Sequence, residues 1–67
     1  MAKMTMAAAR KNKNLTQQEI ADIMGVSRQS VMDWESGKKD MRPAYLMAFC
    51  QITGVSEDDI LLPEKFA

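Results

Sequence analysis

The sequence predicts an all-α fold, a compact bundle of five short helices in one domain. Three observations carry that prediction. Apolar residues recur at helical spacing, and no segment of any length reads as a strand. Capping residues and glycines punctuate the chain at intervals that suit short helices. Finally, 67 residues leave room for one core, with no internal repeat and no linker. The domain is expected to span residues 1–67, with its ordered core at about 5–62.

The first helix is expected from about Thr5 to Asn12, capped by Thr5 and built on good helix formers from Met6 to Arg10. The stretch Lys11-Asn12-Lys13-Asn14 breaks the apolar pattern and reads as a polar exit. Thr16 followed by Glu19 forms a capping box for the second helix, with Leu15 placed to staple onto Ile20 or its neighbour. Gly25 ends that helix, in a positive-φ conformation that would strain any residue with a Cβ. Ser27 caps a third helix, Arg28 to Ser36, which Gly37 closes. After the basic loop Lys38-Lys39-Asp40-Met41-Arg42, Pro43 suits the first turn of a fourth helix, where a missing N–H costs nothing. Tyr45, Leu46, Phe49, Cys50 and Ile52 give that helix a broad apolar face, and Gly54 ends it. Ser56 and the acids Glu57, Asp58 and Asp59 suit the start of a short fifth helix through Ile60, Leu61 and Leu62, stopped by Pro63.

Residues Gln17 to Glu35 are the most informative run. Ala21 sits where two helix backbones come closest, and Gly25 where the chain turns. Ile20, Met24, Val26, Val31 and Trp34 supply the apolar positions that lock the pair. That is the pattern of a helix-turn-helix unit, whose second helix can lie in a DNA major groove.

Bulk composition narrows the function further. A chain this small needs good helix packing, and dimerisation would help, because surface-to-volume scaling leaves it marginal. One cysteine, Cys50, excludes an intrachain disulfide, and with no histidine there is no basis for a zinc site or a Cys–His nucleophile. No paired-carboxylate cleft or phosphate-cradling glycine loop is evident either, so neither an enzyme nor a cofactor is expected. With no membrane-length apolar stretch and no signal-peptide pattern, the expectation is a soluble cytoplasmic protein in which Cys50 stays a thiol.

The net charge is zero, yet it is unevenly spread. Residues 1–42 carry eight Lys or Arg against five Asp or Glu, net +3, whereas residues 43–67 are net −3. Steering of a polyanion depends on the local field of the binding face, so overall neutrality does not exclude DNA. The plainer alternative is an ordinary solvated surface with accidental asymmetry.

The chain resembles the Cro/CI-type (XRE-like) helix-turn-helix family of phage and bacterial regulators, over about Met6 to Leu62. The resemblance rests on Arg10, then Leu15 to Ala21, Met24 to Val31, Trp34 to Lys38, Gly54-Val55-Ser56 and Ile60-Leu61. Two positions depart from the family pattern: Met41 stands where a proline is usual, the proline here being Pro43, and Thr53 stands where leucine is usual. The resemblance implies a lambda-repressor-like domain whose second and third helices form the DNA-reading unit.

Arg28, Gln29 and Ser30 then occupy the turn pushed into the groove. Arginine can donate two bonds to guanine O6 and N7, and glutamine can pair with adenine N6 and N7. Asp33, one turn on, is expected either to accept from cytosine N4 or to orient Gln29. By resemblance Gln17 grips a phosphate, helped by the exposed N–H groups and dipole of its helix. Ser27, Lys13, Lys38, Lys39 and Arg42 are the further phosphate candidates, each individually like any surface residue. In the family pattern Arg10 and Glu35 pair, a structural ion pair joining the first helix to the end of the third. Trp34 is expected in the core, and Cys50 as inert packing.

The function expected is sequence-specific binding of double-stranded DNA by a small repressor or Cro-type regulator. A homodimer would bind a pseudo-palindromic operator, with the dimer contact among Leu62, Phe66 and the loop before Pro43. The alternative is a protein-binding helix-turn-helix module, an antirepressor or antitoxin-like partner, motivated by the zero net charge and by Asp33 on the reading helix.

Overall fold

The computed structural model describes residues 3–63, and Phe66 lies outside the described residues. The element order is β1 (Met4–Thr5), α1 (Met6–Asn12), α2 (Gln17–Met24), α3 (Arg28–Ser36), α4 (Pro43–Thr53), a single 3₁₀ turn (Glu57–Asp59) and β2 (Ile60–Leu61). The four α-helices start and stop where capping chemistry sets them. The Thr5 side chain accepts from the Ala8 N–H. Thr16 and Glu19 form both halves of the capping box, at 3.0 and 2.8 Å. Ser27 accepts from Ser30, and Pro43 opens α4 without a side-chain cap from Arg42.

The corners on either side of α2 need left-handed backbone. Gly25 turns the chain between α2 and α3 at φ 73°, and the Val26 N–H returns to the Ala21 carbonyl at 3.0 Å. Asn14 adopts φ 57° after α1, a conformation its short polar side chain tolerates better than a branched one. Leu15 then folds back onto the core, its N–H reaching the Arg10 carbonyl.

The core gathers Met6 and Ala9 of α1, Ile20 and Ala21 of α2, Val31 and Trp34 of α3, Phe49 and Cys50 of α4, and Ile60. Ala21 is fully buried, as a close approach between α2 and α3 demands. The Trp34 ring packs on Tyr45 with centroids 5.2 Å apart, joining α3 to α4. Burial pushes the Cys50 thiol above the ordinary cysteine pKa, and the charge of Glu57 adds to the shift, so it stays a protonated packing group. Thr53, at the position where the family favours leucine, is buried and donates its hydroxyl to the Phe49 carbonyl at 2.9 Å. The hydroxyl is thereby satisfied inside a helix end.

The expected fifth helix does not form. Ser56 caps a turn, as read, but that turn ends at Asp59 and is 3₁₀ rather than α. Ile60 and Leu61 continue as an extended strand, parallel to β1, with Met4 opposite Ile60 and Thr5 opposite Leu61. Two strands therefore exist where the sequence suggested none. The segment is too short to repay helix nucleation, and Pro63 disfavours α backbone at Leu62. Pairing with β1 satisfies the same backbone groups and ties the chain's two ends together beside α1.

Candidate nucleic-acid interface

The first turn of α3 is exposed at the helix-turn-helix corner. Ser27, Arg28 and Gln29 are all exposed, while Val31 and Trp34 behind them anchor the helix in the core. The alternation follows from helix period: Arg28, Gln29 and Met32 share the outer face, and Val31 and Trp34 the inner one.

Two polar recesses flank this turn. On one side an open cleft of about 820 Å³ is lined by Arg28 of α3, Thr16, Gln17 and Gln18 at the start of α2, and Lys11 and Asn14 at the end of α1. The first N–H groups of α2 have no intrahelical partner, so the cleft combines main-chain donors with the cationic side chains of Lys11 and Arg28. On the other side Ser30 shares a recess with Lys39, Arg42 and Tyr45. Lys38 and Lys39 follow α3 directly, their N–H groups both donating to the Asp33 carbonyl at 2.9 and 3.3 Å. That pair of bonds fixes the basic loop against the end of the helix.

Beneath the turn lies a buried polar girder. Arg10 is 8% exposed, and its guanidinium donates to both Glu35 oxygens, Nε at 2.8 Å and Nη2 at 3.3 Å. Its Nη1 donates to the Leu15 carbonyl at 2.9 Å, and Gln17 Nε2 donates to the same Glu35 carboxylate at 3.1 Å. Four segments therefore meet on one ion pair: α1, its exit loop, the start of α2 and the end of α3. Among the described residues no buried side-chain polar atom lacks a partner.

The family model for the helix-turn-helix matches residues 6–60 of this chain. The chain belongs to the XRE-like helix-turn-helix family. It is also 42% identical over 53 residues to an uncharacterized HTH-type transcriptional regulator of Methanocaldococcus jannaschii, covering 76% of this chain and 77% of that one. No solved structure matches.

Within this helix-turn-helix domain, the expected site residues fall into three groups. Ser27, Arg28, Gln29 and Ser30 lie on the turn, Lys39 and Arg42 share a recess with Ser30, and Lys38 is exposed just past the C-terminal end of α3. The Ser27 and Ser30 hydroxyls are 3.1 Å apart, and Ser27 is also occupied in capping. Gln17 reaches the cleft with one amide N–H engaged by Glu35, which leaves its main-chain N–H and its second amide N–H as donors there.

Asp33 is placed as the second of its two expected roles requires, beside Gln29, whereas Lys13 is placed away from the expected phosphate side. Asp33 is only 6% exposed and accepts from Gln29 Nε2 at 2.9 Å, with Lys39 Nζ 3.8 Å away. Its carboxylate is turned beneath the reading surface, which suits orientation of Gln29 and not acceptance from a base. Lys13 extends toward Gly54 at the end of α4, its Cε 3.9 Å from where a Cβ would stand. The lysine that lines the cleft, with Arg10 and Arg28, is Lys11 instead.

Proposed function

We propose that this protein is a sequence-specific double-stranded-DNA-binding regulator of the repressor or Cro type, with α3 entering the major groove. One observation carries the reading: the exposed turn of α3 stands between two recesses, one lined by Lys11 and Arg28 and the other by Lys39 and Arg42 with Asp40 between them in the chain. Arg28 and Gln29 supply base-edge donors and acceptors, and the flanks supply phosphate contacts. The start of α2 grips one backbone through the Gln17 and Gln18 N–H groups together with Lys11. The loop Lys38, Lys39 and Arg42 grips the other.

The domain acts as a homodimer on a pseudo-palindrome, its half-sites about one helical turn apart. Leu62 is 40% exposed and lines a recess with Met41 and Pro63 at the far end of α3. That recess, which Lys39 and Asp40 of the basic loop also line, is the proposed dimer contact. Its place of action is the cytoplasm, where operator DNA is found.

Titration of labelled random duplex at increasing salt tests the reading. Binding is expected at micromolar protein and low salt, weakening as salt rises through counterion release. Lys38→Ala should weaken all sequences alike and reduce the salt slope by about one. Absence of any binding at low salt would point to the protein-docking alternative.

A further inference from the structure

Gln29 and Asp33 lie one helical turn apart on α3, and their hydrogen bond decides what Gln29 can read. We propose that Asp33 is a specificity-determining positioning residue that makes Gln29 select adenine over guanine. The inference rests on the reading of Gln29 as a base contact and deepens it.

The argument is a count of donors. A glutamine amide has one acceptor oxygen and two N–H donors. Asp33 Oδ1 takes one of those donors at 2.9 Å. The opposite orientation of the amide would set its oxygen against a carboxylate, so the nitrogen must face Asp33. Asp33 itself is held inward by burial, at 6% exposure; Lys39 Nζ, 3.8 Å from its other oxygen, is on a largely exposed side chain and is not needed for that placement. The outward edge of Gln29 is left with one acceptor and one donor. Adenine presents the matching pair, an N6 donor and an N7 acceptor. Guanine presents two acceptors, O6 and N7, and only a glutamine with both N–H groups free could donate to both. With Asp33 in place, the Gln29 oxygen would oppose guanine O6. The lock exists before DNA arrives, so it also spares the ordering of a long side chain on binding.

In vitro selection from a random duplex pool, run in parallel on the wild type, Asp33→Ala, Gln29→Ala and Lys39→Met, tests this. The wild type should favour adenine over guanine by about tenfold to a hundredfold at one position per half-site, the range of a good bidentate pair. Asp33→Ala should retain the rest of the site and admit guanine at that position. Lys39→Met should weaken binding overall and leave the adenine preference in place. Full adenine preference in Asp33→Ala, or guanine favoured by the wild type, would overturn the proposal. An unchanged site in Gln29→Ala would instead remove the base-contact reading beneath it.

A measurement on the free wild-type protein guards against misfolding of the variant. Nuclear magnetic resonance should show the Gln29 carboxamide ordered, with one proton exchanging slowly. Carboxamide protons as mobile and fast-exchanging as those of exposed Gln51 would contradict the lock.

Discussion

Glu35→Ala is expected to destabilise the domain by about 3 kcal/mol, the range found when one partner of a buried ion pair is removed. A chain of this size has only about 3–10 kcal/mol of stability in total. Its Tm should therefore fall by roughly 12–24 °C, or the variant should be partly unfolded at physiological temperature. The magnitude follows from burial: the Arg10 and Glu35 side chains are 10% and 9% exposed, so the abandoned guanidinium could not recover water. Glu35 also holds Gln17, so its loss frees the start of α2 as well. Thermal denaturation followed by circular dichroism measures the effect. Glu35→Gln, which keeps an acceptor for Arg10, should lose less. Replacing the pair together, as Arg10→Met with Glu35→Leu, should recover much of the loss, since apolar groups of similar volume often substitute for a buried pair. A loss below about 1 kcal/mol for Glu35→Ala would show the pair behaving as a surface one.

Arg28→Ala is expected to cost about 1–3 kcal/mol on the preferred site and to relax selectivity at one base pair. The side chain is exposed at the first position of α3, away from the Val31 and Trp34 face that packs into the core. Thermal stability should therefore be nearly unchanged, which separates this variant cleanly from Glu35→Ala. Competition titrations of the variant against preferred and random duplex give the answer. Equal losses on both would reassign Arg28 from base reading to phosphate contact. Arg28 also borders the cleft at the start of α2, so that outcome has a physical basis in the same geometry.

Most of the helical framework was legible because local chemistry specifies it. Thr5, the Thr16–Glu19 box, Ser27 and Pro43 satisfy or dispense with helix N–H groups whatever lies elsewhere in the chain. Gly25, Gly37 and Gly54 end three helices in the left-handed region. The segment after Ser56 misled for the opposite reason. Its local signals favour a helix start, but the decisive partner is β1, more than fifty residues away along the chain. Pairing at that distance leaves no periodic trace in two-residue strands.

The site was legible to a similar depth. Arg28 and Gln29 are exposed because the Val31 and Trp34 spacing fixes which face of α3 is buried. Arg10 and Glu35 form the ion pair that the family resemblance implies. The direction of a long flexible side chain is another matter. Lys13 could as easily have pointed toward α2 as toward Gly54, and only the packed fold settles it. Asp33 illustrates how burial changes meaning: a carboxylate that would repel phosphate when exposed becomes, when turned inward, a fixed acceptor for Gln29.

Selection of bound sequences from a random duplex pool with the wild-type protein tests the central claim most directly. A homodimer reading through α3, as proposed, should enrich a pseudo-palindrome whose half-sites lie about one helical turn apart, each with a guanine and an adenine at fixed positions. A pool that remains random after repeated rounds, at salt low enough to retain electrostatic binding, would contradict it.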